Sequence, residues 1–163
     1  MTHRKRLTRE AEQLRKTERN GRGDEMIYLV PLPDNICEWN AFIRGPPDSP
    51  YEGRVFEMSI SVGAQYPLVP PTIIFRSKVF HPNVNYDTGE ICLDILKKNW
   101  SPAWSLEGAC RAIIALLADP DVDVWLNYEP WPIQPPVSDQ FAIGRVEPML
   151  RFLDQYAFYS DAS

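Results

Sequence analysis

The sequence has few of the residues that build metal sites and disulfide scaffolds. Its 163 residues include three cysteines and two histidines. Cys37, Cys92 and Cys110 form no Cys-x-x-Cys pair, and with only His3 and His81 beside them they do not indicate a zinc site. An odd and sparse set of cysteines is typical of a reducing compartment. We therefore expect no metal and no structural disulfide.

Long apolar runs are also absent. The longest strongly apolar run, 112–118, is far shorter than the ~20 residues that a membrane-spanning helix needs. The first 22 residues are too rich in charge for a secretory signal. These features predict a soluble, cytoplasmic protein that does not insert directly into a membrane.

Positive charge is scarce outside the N-terminus. Residues 1–22 hold eight Lys and Arg against three Asp and Glu, whereas the remainder holds nine against 19, for a net charge of −5. An acidic body argues against a general nucleic-acid binder. The basic N-terminus is either a docking surface for an acidic protein or a solvated helix face.

Proline, by contrast, is abundant, with 16 residues, about twice the usual ~5%. Stiff proline-containing loops separate segments of clear periodicity. Helical spacing predicts three helices, over 2–20, 105–118 and 148–159. Strand patterns occupy 26–32, 36–44, 53–62 and 72–75. Strands that follow one another through turn-type links favour an antiparallel meander, so we expect one α+β domain over 1–163.

Among the three cysteines, Cys92 is the one most suited to chemistry. Cys110 falls on the apolar stripe of a predicted helix and Cys37 lies in a predicted strand, so packing roles are expected for both. Cys92 lies in a long irregular stretch, eleven residues after His81. A hydrolase would need a base and a group that orients it, and the only candidate base is His81. Composition alone favours a buried structural cysteine. The lack of a strongly activated thiol indicates, as the alternative, acyl exchange between thiols, which tolerates a weakly activated thiol.

Several motifs in a fixed order resemble those of the ubiquitin-conjugating enzymes. They are HPN at 81–83, GEICLDIL at 89–96 and WSPA at 100–103, preceded by proline-rich landmarks at 45–53 and 66–71. The resemblance covers roughly residues 4–127. It implies an N-terminal helix, a four-stranded antiparallel meander, an active-site loop, a central helix and C-terminal helices. It implies no cofactor, because ATP is used by the activating enzyme.

The resemblance also implies roles for individual residues. Cys92 matches the cysteine that accepts the C-terminal carboxyl of ubiquitin as a thioester. Asn83 matches an asparagine that stabilises the oxyanion or orders the loop, with a turn-forming asparagine as the alternative. Asp123 is the best match for a carboxylate that orients the attacking amine, or it is a solvated loop residue. Architectural positions are matched by His81, Pro82 and Leu126.

Docking surfaces for a ubiquitin-activating enzyme and a RING-type ubiquitin ligase are implied as well. The activating enzyme would meet basic residues of the first helix, namely Arg4, Lys5, Arg6 and Arg9. The ligase-binding positions are matched by Leu68, Pro102 and Ala103. An exposed leucine on a stiff loop is an anchor of low ordering cost, and a core position is the alternative for Leu68. Trp104 either extends this ligase surface or packs inward.

Residues 86–92 and 110–117 are similar to the peroxin branch of the family, which serves import of peroxisomal matrix proteins. This similarity implies an enzyme held at the cytosolic face of the peroxisome by a membrane-anchored peroxin, where it modifies the import receptor on lysine or cysteine. Residues 128–136 carry four prolines and depart from the family pattern. The alternatives are a conjugating enzyme for another ubiquitin-like modifier and a non-catalytic ubiquitin-binding scaffold.

Overall fold

A four-stranded antiparallel sheet lies at the centre of the structure, a computed structural model that describes residues 2–121. The strands are β1 (Ile27–Leu32), β2 (Asn35–Arg44), β3 (Val55–Ser61) and β4 (Thr72–Phe75). Their order in the sheet is the order in the chain, and each pairs antiparallel with the next. The predicted α+β class and the four-stranded meander are confirmed.

Strand β3 shows why the sheet has one core face. Phe56, Met58 and Ile60 are fully buried, whereas Glu57 and Ser59 between them are half-buried. Successive side chains of a strand point to opposite faces, so this alternation directs the apolar set towards the core. The partners of the three apolar residues on β2 are themselves buried: Ile43, Ala41 and Trp39.

Two helices, α1 (His3–Arg19) and α2 (Leu106–Ala118), share one apolar cluster with the sheet. Ser105 caps α2, because its Oγ accepts a hydrogen bond from the Gly108 N–H at 3.0 Å. Helical spacing in the sequence predicts that the buried stripe of this helix consists of Leu106, Ala109, Cys110, Ile113, Ile114 and Leu117, and the buried face of α2 is close to that set. It differs at its end, where Leu116 is buried and Ile114 is only half-buried.

The segment between β4 and α2 is irregular, as expected, apart from a 3₁₀ turn at Asp94–Leu96. No helix among residues 2–121 is long and apolar enough to cross a membrane. The predicted helix at 148–159, the proline-rich stretch 128–136 and the candidate residues Asp123 and Leu126 lie outside the described residues.

Candidate active site

Cys92 lies at the end of a small hairpin formed by residues 83–92. The Cys92 N–H donates to the Asn83 carbonyl at 2.8 Å, and the Asn85 N–H donates to the Glu90 carbonyl at 2.8 Å. The turn is closed by the Gly89 N–H, which donates to the Asn85 carbonyl at 2.8 Å. The backbone around the thiol is therefore held by hydrogen bonds on both arms of the hairpin.

Gly89 attaches this hairpin to the sheet. Its carbonyl accepts a hydrogen bond from the Phe75 N–H at 2.9 Å. The φ of Gly89 is +76°, and a Cβ at this position would lie 2.0 Å from the Phe75 carbonyl oxygen. Both the left-handed backbone and the close approach to β4 require glycine.

The Cys92 side chain is half-buried, and its Sγ lies 3.7 Å from the Lys97 Nζ. The other two cysteines have packing environments. Cys110 is fully buried, and burial raises the pKa of its thiol to about 12, with a smaller contribution from Glu107. Cys37 is half-buried on β2 and packs against the core. Expectations of packing roles for Cys37 and Cys110 agree with these positions.

His81 is buried below the hairpin and uses both ring nitrogens. Its Nδ1 accepts the Asn83 N–H at 3.0 Å, and its Nε2 lies 2.9 Å from the Leu116 carbonyl oxygen. A carbonyl can only accept, so this pattern requires a neutral ring that carries its proton on Nε2. Burial lowers the pKa of His81 to about 4, although the bond to Leu116 opposes part of that shift. The geometry suits an architectural residue and leaves neither nitrogen available as a base for the thiol.

Asn83 connects the hairpin to the chain that follows α2. Its side chain is fully buried; Nδ2 donates to the Asp121 carbonyl at 2.7 Å, and Oδ1 accepts the Asp121 N–H at 2.9 Å. This two-point contact orders the loop against a segment 38 residues away. It also holds the backbone two residues before Asp123 beside the hairpin.

The predicted ligase surface consists of two loops that the structure places together. The Trp100 indole N–H donates to the Pro67 carbonyl at 2.8 Å, and the Trp100 and Tyr66 rings lie 6.0 Å apart. Leu68 is 77% exposed, so the alternative of a core position for Leu68 is wrong. The other two predicted positions, Pro102 and Ala103, are also exposed. Trp104 is half-buried beside α2.

A cluster around Glu10, which we call the Glu10 junction, was not expected from the sequence. The Glu10 carboxylate accepts hydrogen bonds from Arg6 Nε at 2.6 Å, the Tyr66 hydroxyl at 2.6 Å and the Leu106 N–H at 2.9 Å. Arg6 also donates from Nη2 to the Trp104 carbonyl at 3.1 Å. The junction joins α1, the loop that carries Leu68 and the first turn of α2.

Because it takes part in the Glu10 junction, Arg6 has a different environment from the other basic residues predicted to meet the activating enzyme. Arg6 is partly buried, and its hydrogen bond to Glu10 raises the pKa of its guanidinium. Burial, reinforced by the bond to Glu10, raises the pKa of Tyr66 well above its ordinary value. The remaining basic positions, Arg4, Lys5 and Arg9, are exposed on α1. An (i, i+4) Arg–Glu pair was visible in the sequence, but its distant partners were not.

Comparison with known proteins identifies the class. The family model described as ubiquitin-conjugating enzyme matches residues 6–138. PEROXIN-4 of Arabidopsis thaliana is 51% identical over 116 residues, which are 71% of this chain and 74% of that protein. Ubiquitin-conjugating enzyme E2 pex4 of Dictyostelium discoideum is 53% identical over 104 residues, 63% and 70% of the two chains. The solved E2 domain of a Toxoplasma gondii ubiquitin-conjugating enzyme aligns with a TM-score of 0.66 and 36% identity, covering 74% of this chain and 78% of that one.

The chain belongs to the ubiquitin-conjugating enzyme family, whose members are transferases that carry ubiquitin as a thioester and work with an activating enzyme and ligases. The similarity to PEROXIN-4 and to pex4 confirms the resemblance to the peroxin branch.

Proposed function

We propose that Cys92 is the acceptor of ubiquitin. The observation that carries this proposal is the position of Cys92 at the end of a hydrogen-bonded hairpin, with its thiol half-buried and next to exposed Lys97. The activating enzyme delivers the ubiquitin carboxyl group as a thioester, and the Cys92 sulfur attacks its carbonyl carbon. The sulfur of the activating enzyme leaves as the new carbon–sulfur bond forms.

Thioester exchange of this kind is nearly balanced in energy, so positioning contributes more than acid–base chemistry. A few per cent of an ordinary cysteine is thiolate at neutral pH, which is sufficient for a reaction of this type. His81 supports the site by linking the Asn83 end of the hairpin to the Leu116 carbonyl of α2. Pro82 lies between His81 and Asn83 in the chain.

The attack on the thioester develops negative charge on the carbonyl oxygen, and an amide donor near that oxygen would stabilise it. Asn83 is the proposed donor, and its bonds to Asp121 support a second role in ordering the loop. For transfer to an amine, we propose that Asp123 accepts a hydrogen bond from the attacking group. Leu126 is proposed to have an architectural role in the same part of the active site.

The exposed surface of Leu68, Pro102 and Ala103 is the proposed docking site for a RING-type ligase. Trp100 joins the two loops, so the surface is largely pre-organised and loses little entropy on binding. The activating enzyme is proposed to meet the exposed residues Arg4, Lys5 and Arg9 of α1, while Arg6 shapes that surface through the Glu10 junction.

Relatives with peroxin names support a place in peroxisomal protein import. We propose that the enzyme acts in the cytoplasm, is recruited to the cytosolic face of the peroxisome by a membrane-anchored peroxin, and modifies the import receptor on lysine or cysteine. The chain itself offers chemistry for either acceptor, because a thioester reacts with both amines and thiols.

A charging assay tests the central proposal. The purified chain is mixed with ubiquitin, a ubiquitin-activating enzyme, Mg²⁺ and ATP, then run on non-reducing and reducing gels. An adduct that thiol reductant removes, present in wild type and Cys37→Ala but absent in Cys92→Ala, is expected. Failure of wild type to charge while a control conjugating enzyme charges would overturn the proposal and direct the assay to other ubiquitin-like modifiers.

Discharge of the charged enzyme tests the acceptors and the ligase surface. Loss of the thioester in free lysine and in free cysteine compares the two acceptor classes. For the ligase, Leu68→Ala is expected to abolish the acceleration produced by a RING domain chosen for its effect on wild type. Discharge onto free lysine without the RING domain should stay unchanged in this variant; a loss of that basal rate would contradict a docking role for Leu68.

A further inference from the structure

Trp104 differs from the other tryptophans that the structure describes in the state of its indole N–H. The Trp39 indole donates to the Ile36 carbonyl at 2.8 Å, and the Trp100 indole donates to the Pro67 carbonyl at 2.8 Å. In the described part of the chain, the Trp104 indole N–H has no hydrogen-bond partner. No buried side-chain nitrogen or oxygen in that part lacks a partner, so this N–H reaches solvent. A half-buried ring with an unused donor at the surface is suited to contact with a partner protein.

The backbone of Trp104 is held on both sides of its α-carbon. Its N–H donates to the Ser101 carbonyl at 2.9 Å and closes the turn that contains Pro102 and Ala103. Its carbonyl accepts a hydrogen bond from Arg6 Nη2 at 3.1 Å, so the Glu10 junction fixes the residue against α1. The position of the ring is therefore set before any partner binds, which lowers the entropic cost of binding.

The first turn of α2 leaves room for one edge of the Trp104 ring. A Cβ added to Gly108 would lie 3.2 Å from Cε3 and 3.7 Å from Cζ3 of the indole. Glycine is a poor residue for a helix, but at this position it allows the close approach of the ring. In the covalent structure of indole, Nε1 is on the opposite edge from Cε3 and Cζ3. One edge of the ring thus packs on α2, and the edge that carries the N–H points away from it.

We propose that Trp104 is a specificity-determining residue that extends the surface of Leu68, Pro102 and Ala103; this rests on the proposed docking of a ligase there. The partner is a RING-type ligase that presents an oxygen acceptor to the indole N–H and an apolar side chain to the ring. Tryptophan is among the residues that carry most of the binding energy in protein interfaces. A ligase without the acceptor would bury the N–H unpaired, which disfavours that ligase.

NMR of the wild-type enzyme tests the state of the N–H directly. In the free, ¹⁵N-labelled enzyme, the Trp104 indole proton should exchange with deuterated water faster than those of Trp39 and Trp100, which are bonded internally. The enzyme is then titrated with a RING domain, selected from a panel because it most accelerates discharge of the wild-type thioester. The Trp104 indole cross-peak should shift, and its proton should become protected from exchange in the complex.

Two variants test the contribution to affinity and specificity. Trp104→Leu should raise the Kd for the selected RING domain by at least about tenfold, and Trp104→Phe by less because part of the ring contact remains. Saturating RING domain should restore the wild-type rate of discharge, since the change affects binding rather than chemistry. Across the panel, Trp104→Leu should change the ranking of the RING domains, whereas Leu68→Ala should weaken all that are active. Glu25→Ala, exposed at the end of the sheet opposite the Leu68 loop, is the control and should bind as wild type.

Three results would overturn the inference: exchange of the Trp104 indole proton as slow as that of Trp100, no response of its cross-peak to the RING domain, or wild-type affinity of Trp104→Leu for every active RING domain. The first two are measured on wild type, so they decide the question even if Trp104→Leu does not fold. Loss of binding in Leu68→Ala with full binding in Trp104→Leu rejects Trp104 alone. If Leu68→Ala also binds as wild type, or if no RING domain accelerates discharge, the ligase surface itself is wrong.

Discussion

The two ends of α2 are both held by side chains from distant parts of the chain, with opposite chemistry. At the N-terminal end, the Glu10 carboxylate accepts the Leu106 N–H. At the C-terminal end, the His81 Nε2–H donates to the Leu116 carbonyl. Each contact satisfies a backbone group that a helix end cannot pair internally. One end uses a charge and the other a neutral ring.

The difference follows from the balance between the helix dipole and desolvation. A charge of suitable sign at a helix terminus gains roughly 0.3–1 kcal/mol. At the N-terminal end, Glu10 meets this preference and is also paired with Arg6, with some access to water. At the C-terminal end the dipole would favour a cation, but His81 is 1% exposed. Lowering its pKa from 6.5 to about 4 corresponds to a penalty of about 3 kcal/mol for the charged ring, so desolvation prevails.

The two ends also face different surfaces. The Glu10 junction shapes the loops that carry Leu68 and Trp104, on the proposed ligase side. His81 holds the hairpin of Cys92 through its bond with Asn83. We therefore expect disruption of either end to lower stability, but to change function in different steps.

The largest effect is expected from His81→Ala. The change removes a buried ring and leaves the Leu116 carbonyl and the Asn83 N–H without their partner, which should cost about 4 kcal/mol of unfolding free energy. Urea denaturation at pH 7 measures it, and the fraction of enzyme charged with ubiquitin should fall as well. His3→Ala is the matched control and should change neither value. A loss of unfolding free energy below about 1 kcal/mol for His81→Ala would show that His81 contributes little to holding the C-terminal end of α2.

The pH dependence of stability should separate the neutral end from the charged one. The folded-state pKa of His81, about 4, lies below the ordinary value of 6.5, so the unfolded state binds the proton first as pH falls. The contribution of neutral His81 to the free energy of unfolding is therefore fully present above pH 6.5. It falls by about 3 kcal/mol as the pH is lowered to 4. His81→Gln, which does not titrate, should lose less stability over that range than wild type. With two histidines in the chain, NMR can follow the His81 ring directly, and titration near pH 6.5 would contradict the assignment.

A smaller loss, about 2 kcal/mol, is expected for Glu10→Ala. The variant leaves Arg6, the Tyr66 hydroxyl and the Leu106 N–H without their common acceptor. Because this end carries charge, the difference from wild type should shrink between 0.1 and 1 M salt, on the scale of Debye screening. Denaturation of wild type, Glu10→Ala and His81→Ala at both salt concentrations gives the comparison. If salt changed the destabilisation by Glu10→Ala and by His81→Ala equally, the contrast between a charged and a neutral end of α2 would be wrong.

The smallest effect, about 1 kcal/mol, is expected for Ser105→Ala, which removes the local cap of α2 but spares the Glu10 junction. Thermal or urea denaturation is sufficient to measure it. Ser101→Ala serves as the control, because the Ser101 Oγ accepts from the Ala103 N–H at an exposed site and a distance of 3.3 Å. A Ser105→Ala loss as large as that of Glu10→Ala would show that the distant carboxylate adds little to the ordinary cap.

Much of the fold could be predicted because its signals are local. Alternation along β3 and the spacing in α2 follow directly from the periods of strand and helix, and the structure confirms both elements. Such patterns have a limit on the buried face of α2, where the spacing predicts Ile114 but the structure buries Leu116 instead. Adjacent apolar residues satisfy the period almost equally, and contacts with the sheet decide between them.

The candidate site was predictable only in part. Motifs around His81, Asn83 and Cys92 identified the candidate active-site loop. The sequence did not decide whether Leu68 is exposed or buried, and it gave no sign of the Glu10 junction. Glu10 is 56 residues from Tyr66 and 96 from Leu106, so no local pattern reports their contact. Lys97 is only five residues from Cys92, but the direction of its side chain depends on the 3₁₀ turn.

The sequence by itself determined the α+β class, the order of the helices and strands within residues 2–121 and the family, and it indicated Cys92 as the candidate for acyl transfer. Periodicity and ordered motifs carry that information along the chain. Only the tertiary structure decided which polar groups meet: the neutral His81 under the thiol loop, the charged Glu10 at the opposite end of α2, and the Lys97 amine beside Cys92. Charge state and reactivity depend on burial and on distances of a few ångströms, and both quantities exist only once the chain has folded.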